Sequence, residues 1–235
     1  MKLFIHIPKN GGMTIRNIDG IQNKVMFCSH GNHVSMDYTK RLEKKMRDTE
    51  DHQGYEHARW RDWNKDLRTN HKAFAIIRNP WDRVVSRYLF AKKVMYLEKH
   101  QPSTYADTSS FKAFLEERHK WGDEEFMWHR AVRGWYPAFD HVSDEKGEKV
   151  KCDILRFEHY NEDTKLYLGL LQNPNPRNIT RVPNDYGHTG YGRSYKDIYN
   201  KEKETVQIVA DWYKKDIDYW GFDFDTPATR NYWNA

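Results

Sequence analysis

The stretch from Leu3 to Thr14, LFIHIPKNGGMT, carries the clearest chemical pattern in the chain. Leu3, Phe4, Ile5 and Ile7 form a short apolar run broken at His6; Pro8 stops it, and Lys9-Asn10-Gly11-Gly12 leads into Met13-Thr14-Ile15. The pattern predicts a buried strand (Lys2 to Ile7), a glycine turn and a helix over about Gly12 to Asn17. Two glycines permit positive φ and the close approach of a ligand to the backbone. Free N–H groups at the start of a helix face such a ligand, and the helix dipole favours an anion there. Lys9 adds a mobile positive charge. Together these residues form a cradle for a phosphate or sulfate group; a tight strand-to-helix turn with a solvated lysine is the plainer alternative. The motif is not that of a nucleoside triphosphate loop, which places Lys after the glycines and follows it with a magnesium-holding Ser or Thr. Lys9 precedes the glycines and the chain contains no Gly-Lys-Ser/Thr, so no bound metal is expected.

Two further groups could do chemistry. Val25 to Cys28 reads as a second strand, and Ser29-His30-Gly31-Asn32-His33 follows as a polar loop at its C-terminal end. Ligands of open α/β sheets bind beyond the carboxyl ends of the strands, so His30 and His33 are candidates for proton transfer. Their spacing would also suit zinc, but no Cys or carboxylate cluster nearby completes a site; surface histidines are the alternative. Ala73 to Ile77 is the clearest buried strand, and Arg78-Asn79-Pro80-Trp81-Asp82-Arg83-Val84-Val85-Ser86-Arg87-Tyr88 follows it. Asn79 suits an N-cap, Pro80 the first helical position and Asp82 the first turn. Trp81, Val84, Val85, Tyr88, Leu89 and Met95 keep to one side of that helix. Arg78 then sits at a strand tip and Ser86 two turns on, ~10 Å along the axis, so only a long side chain such as Arg could share a ligand with Ser86. An arginine capping a sheet edge and a serine on a polar face is the alternative.

The remainder must position these groups. With 235 residues and only 38% in the hydrophobic set, much of the core must be drawn from the 15% that are aromatic. The net charge of +5 fits an anionic ligand without demanding nucleic acid. Two cysteines, Cys28 and Cys152, make no disulfide framework and read as free thiols in a reducing cytosol. No leader-like n-region and h-region and no apolar run of ~18 residues is present, so a soluble cytoplasmic protein is expected. Residues 37–72 are polar with alternating charge, which favours solvated helices, with Trp60 and Trp63 to pack. A short helix is expected at Phe111, Phe114 and Leu115, and an aromatic region at Phe126-Met127-Trp128-His129 and Trp135-Tyr136. A turn is expected at Asp144 to Glu148, a strand over Val150 to Phe157, and a helix from an Asn161 cap to about Leu171. Residues 173–194 read as loop and Glu202 to Asp216 as one amphipathic helix with Val206, Val209, Ala210 and Tyr213 aligned. Without repeats or a linker, residues 1–235 read as a single domain.

The two motifs, strand–Pro8-Lys9-x-Gly11-Gly12-x-Thr14 and strand–Arg78-Asn79-Pro80-Trp81-Asp82-Arg83-x-x-Ser86-x-Tyr88, resemble the two nucleotide-binding motifs of the sulfotransferases that use 3′-phosphoadenosine 5′-phosphosulfate (PAPS). The nearest branch is that of the carbohydrate sulfotransferases, such as heparan sulfate 2-O-sulfotransferase and many bacterial and phage relatives. The likeness extends to Arg156-Phe157-Glu158, to Tyr195-Lys196-Asp197-Ile198-Tyr199 and to the closing Asp216…Trp220-Gly221-Phe222. It implies an α/β, P-loop NTPase-like three-layer fold with a central parallel sheet flanked by helices. It implies that Lys9, Asn10, Gly11, Gly12, Met13 and Thr14 grip the 5′-phosphosulfate. Arg78 and Ser86 would hold the 3′-phosphate, and Arg193 and Tyr195 would add donor contacts. The chain departs from the usual Lys-Thr-Gly/Ala-Gly-Thr-Ser: Met13 removes a hydroxyl and Thr14 supplies a neighbouring one. The histidine that members often carry after the second strand is best matched by His33, with His30 second. The implied reaction transfers a sulfuryl group in line to an acceptor hydroxyl, expected on a saccharide, with a histidine as general base, Lys9 steadying the departing 3′,5′-ADP, and no metal. An ATP-dependent phosphotransferase and a non-enzymatic binder of nucleic acid or another anionic polymer are the rivals. The missing Gly-Lys-Ser/Thr argues against the first, and the lack of any recognisable nucleic-acid-binding motif against the second. A bacterial or virus-infected host cytosol is the expected setting.

Overall fold

Ala73, Phe74, Ala75, Ile76 and Ile77 are apolar without a break, so this strand must be covered on both faces. In the computed structural model, which describes residues 1–49, 54–92, 107–120, 134–171 and 194–234, all five are buried. They form β3 (Ala73–Ile77) of a four-stranded parallel sheet that also contains β1 (Lys2–Ile5), β2 (Val25–Phe27) and β4 (Cys152–Arg156), in the order β2-β1-β3-β4. Phe4 pairs with Phe27 on one side and Phe74 on the other, and Ala75 pairs with Ile154.

Side chains alternate between two cores. Leu3, Ile5, Ala73, Ala75, Ile77 and Ile154 face one; Phe4, Phe74, Ile76 and Leu155 face the other. On the first face lie α2 (Met36–Thr49), α4 (Pro80–Phe90), α5 (Phe111–Lys120), α9 (Glu204–Trp212) and α10 (Lys214–Trp220), through residues such as Leu42, Val85, Phe114, Val209 and Trp220. On the second lie α1 (Gly12–Arg16) through Ile15 and α7 (Tyr160–Leu168) through Tyr160, Tyr167 and Leu168. Shorter helices are α3 (Lys65–Asn70), α6 (Ala138–His141) and α8 (Lys196–Tyr199). This is the expected α/β, P-loop-like arrangement: an all-parallel sheet flanked by helices. Edge strand β4 is partly closed by the C-terminal segment, where Trp233 N donates to the Ile154 carbonyl at 2.7 Å.

Several boundaries differ from expectation. β1 ends at Ile5 because Ile7 N turns back to the Ile5 carbonyl and His57 Nδ1 donates to the His6 carbonyl at 2.9 Å. α7 begins at Tyr160 with His159 at its cap, so Asn161 lies inside the helix. The predicted Glu202 to Asp216 helix is two helices broken at Tyr213, where φ is −104° and ψ 22°. The break lets Asp216 accept from the Ala138 and Phe139 amides at 2.7 and 2.8 Å, capping α6. Cys28 and Cys152 are free, buried thiols, each pushed up to about 12 by burial. Met95, the Phe126–His129 segment and nearly all of the 173–194 loop lie outside the described residues. No helix among the described residues is long and apolar enough to cross a membrane.

Burial sets a pH dependence. His6 and His141 are both sealed, and burial holds each imidazole well below its ordinary value of 6.5, with His57 next in importance at His6 and Arg83 at His141. Below pH 6.5 the unfolded chain takes up protons that the folded chain refuses, so stability falls as pH falls. Asp216 has the opposite sign: burial raises it from 3.8 to about 6, so the folded chain binds its proton more readily between those values. Two histidines outweigh one carboxyl, and lowering the pH from 7 to 5.5 is expected to cost about 2 kcal/mol of unfolding free energy in urea titrations. A stability that is flat or rises over that interval contradicts these assignments.

Candidate active site

The loop after β1 and the turn after β3 leave adjacent strands whose connections run to opposite sides of the sheet, β1 to β2 and β3 to β4. At such a switch point the crevice of an open α/β sheet lies beyond the C-terminal ends of the strands, and both sequence motifs meet there. Arg78 Nη1 donates to the Lys9 carbonyl at 3.0 Å. Nε and Nη2 of the same guanidinium donate to Asp82 at 2.7 and 2.8 Å, and its plane lies over the Phe157 ring at 4.0 Å. Asn79 caps α4 as expected, accepting from Trp81 N at 3.0 Å and Asp82 N at 3.4 Å, with Pro80 at the start of the helix.

The lysine loop is built against steric rules that only its neighbours can enforce. Lys9 has φ +68° and Gly11 φ +80°. A non-glycine residue there carries strain, so the surroundings must hold Lys9 in place. A Cβ on Gly12 would fall 2.1 Å from His6 Cδ2, and one on Gly11 would fall 2.7 Å from Tyr160 Cε2. Contact requires glycine at both positions, and torsion requires it at Gly11 as well. Side chains from elsewhere take up the loop's carbonyls: Arg83 Nε donates to Pro8 at 3.1 Å, Arg78 to Lys9, and the Tyr160 hydroxyl to Gly11 at 2.9 Å. In a trans peptide the N–H points opposite to the C=O. Drawing these carbonyls inward therefore turns the amides of Lys9, Asn10 and Gly12 outward, as an anion requires.

The expected binding residues do not all face the crevice. Asn10 is 1% exposed, and its Nδ2 donates to the Ile76 carbonyl at 2.8 Å, tying the loop to β3. Thr14 is buried with its hydroxyl toward Tyr160, whereas Met13 is exposed. Ser86 is buried on α4. Lys9 Nζ rests 4.2 Å above the Phe90 ring centre. The Tyr195 hydroxyl donates to the Phe224 carbonyl; burial, then Asp82, pushes that hydroxyl up to about 12, with Arg78 acting on it in the opposite direction. Arg193 lies outside the described residues.

The two histidines sit at the tip of β2, beside β1. His33 belongs to a 3-10 turn over Gly31–His33, its ring 3.9 Å from that of His30 and stacked 6.0 Å from Trp63. Ser29 N donates to His33 Nδ1 at 3.3 Å. Partial burial, then the neighbouring His30, lowers the His33 imidazole below its ordinary value, so it is neutral near pH 7 and able to take a proton. His30 is exposed. Arg16, on α1, donates to the Cys28 carbonyl at 3.1 Å and so docks the helix of the lysine loop against the histidine-bearing tip. Among the described residues no group of three or more His, Cys, Asp and Glu is arranged to hold a metal.

Sequence reasoning missed four residues here. Arg83 and Tyr160 hold loop carbonyls; Glu158 accepts the Asn79 amide at 2.7 Å; and His6 forms the floor beneath Gly12. Arg83 and Glu158 lie within quoted motifs, which was the available signal, but their partners are carbonyls and amides that no motif specifies.

Compared with models of protein families, residues 3–223 match the one described as the Sulfotransferase family. No curated protein and no solved structure matches the chain.

Proposed function

The chain belongs to the sulfotransferase family, and from that membership we propose that residues 1–235 form one catalytic domain that moves a sulfuryl group from PAPS to a hydroxyl of a saccharide. One observation carries the donor assignment: the guanidinium of the second motif is bonded to the lysine loop of the first, across 69 residues of sequence. A loop with outward amides, two obligatory glycines and a lysine fits a phosphosulfate, and an arginine beside it fits the second phosphate that distinguishes PAPS from ATP. Free, buried thiols accord with a reducing compartment such as the cytosol of a bacterium or an infected host. The saccharide acceptor rests on the motif resemblance to the carbohydrate branch.

When bound, the donor supplies a sulfuryl group already activated as a phosphate–sulfate anhydride. Loop amides of Lys9 to Met13 hold its 5′ end, and Arg78 with Ser86 its 3′-phosphate, with Tyr195 and Arg193 adjoining. His33, neutral at the β2 tip, takes the proton from the acceptor hydroxyl as the new S–O bond forms; His30 is the alternate base. As the bond to the bridging oxygen breaks, its electron pair stays on 3′,5′-ADP, and Lys9 offsets that charge. The positive field of lysine, arginine and backbone dipoles does the work without a metal. The test is transfer of radiolabelled sulfate from PAPS, in EDTA, to a panel of polysaccharides, phenols and tyrosyl peptides. Labelled polysaccharide is expected. Label passing only to phenols or peptides overturns the acceptor assignment, and release of label that depends on magnesium overturns the mechanism.

A further inference from the structure

The Gly11 carbonyl is held from beyond the tip of β4, 149 residues along the chain. Tyr160, the first residue of α7, is 7% exposed; its hydroxyl donates to Gly11 O, and its ring packs where a Gly11 Cβ would be. Thr14 N donates to the same carbonyl at 3.0 Å, so the oxygen is held twice, by a bond local to α1 and by one from β4's side of the sheet. The carbonyl of Gly11 and the amide of Gly12 belong to one peptide plane, so fixing the first aims the second. Gly12 cannot compensate by shifting, because its Cα lies against the His6 ring.

On the donor-site reading above, we propose that Tyr160 is a positioning residue for the 5′ end of the donor. Its hydroxyl keeps the Gly11–Gly12 peptide turned so that the Gly12 N–H meets the 5′-phosphosulfate. The phenol does not touch the donor; it acts through one peptide plane. Its effect is therefore confined to ligands carrying a 5′-phosphate, whereas a merely structural tyrosine would weaken every adenosine phosphate alike. Removing the hydroxyl leaves the Gly11 carbonyl bonded only by Thr14 and lets the plane rock.

The experiment is calorimetric titration at 10 °C of the wild type and Tyr160→Phe with 3′,5′-ADP, 5′-AMP and 3′-AMP, with a thermal midpoint recorded for each protein without ligand. The expected result is a Kd about tenfold higher for the two 5′-phosphorylated ligands, equivalent to about 1.4 kcal/mol, and an unchanged Kd for 3′-AMP. Equal affinities for all three ligands in the two proteins overturn the inference, as does a uniform weakening of all three. A second variant, Tyr160→Leu, which also removes the ring, is expected to show the same 5′-selective loss; a loss without that selectivity counts against the proposal. A wild type that binds none of the three ligands instead overturns the donor-site reading on which the inference rests.

Discussion

Replacing Lys9 with asparagine is expected to lower kcat for sulfuryl transfer by ~10²–10³, the cost of removing one donor aimed at developing charge, while the thermal midpoint moves by no more than about 2 °C. The separation follows from the backbone. Lys9 sits at φ +68°, a conformation asparagine tolerates better than most residues, so the substitution removes the ammonium without adding strain. The Lys9 carbonyl bonded to Arg78 is also retained, because it is main chain. Affinity for the product 3′,5′-ADP, which has no sulfuryl group, is expected to fall much less than kcat. Lys9→Arg, which keeps a charge, is expected to recover part of the rate. A Lys9→Asn enzyme within threefold of wild-type kcat would remove lysine from the mechanism.

Arg78 is expected to give the largest loss of donor affinity, and its replacement also damages the fold. From sequence alone the guanidinium reads as a ligand group whose removal leaves the structure intact. The structure shows it 5% exposed and paired with a mostly buried Asp82 while supporting the loop. Breaking such a pair from one side leaves a carboxylate without its partner and typically costs about 3–5 kcal/mol. Arg78→Ala is therefore expected to lower stability by that order and to raise the Kd for 3′,5′-ADP at least a hundredfold. The double variant Arg78→Ala/Asp82→Ala separates the two effects: removing both charges should restore part of the stability, whereas donor affinity should stay lost. Recovery of donor binding in the double variant would show that Arg78 serves only to neutralise Asp82.

What could be read from the sequence was local. Ala73–Ile77 was legible because an uninterrupted apolar run bounded by polar residues has few solutions, and α4 because Asn79-Pro80 announces its start. The conjunction of the lysine loop and Arg78 was legible as two motifs at strand ends, and the β2-β1-β3 order brings those ends together. The rest depended on distant partners. The break at Tyr213 lies inside a continuous amphipathic pattern, and its reason is the reach of Asp216 to the amides of α6. Asn10 and Thr14 carry the side chains a loop would offer to an anion, yet Ile76 and Tyr160 draw them inward. Arg83 looks like another solvated helix cation until its bonds to the Pro8 and Tyr136 carbonyls are seen.

In the proposed function two strand tips grip both ends of one adenosine donor. Thermal shift of the wild-type protein in EDTA, with 3′,5′-ADP, 5′-AMP or ATP at one common concentration set to a hundred times the Kd of 3′,5′-ADP, and with Mg-ATP at that concentration in a parallel EDTA-free sample, tests this. At a hundred times Kd a ligand adds about 2.7 kcal/mol, which for a chain of this size raises the midpoint by about 5–10 °C. That shift is expected for 3′,5′-ADP without metal, and a clearly smaller one for 5′-AMP, which lacks the phosphate assigned to Arg78. No shift with 3′,5′-ADP, or a larger one with Mg-ATP, would contradict it.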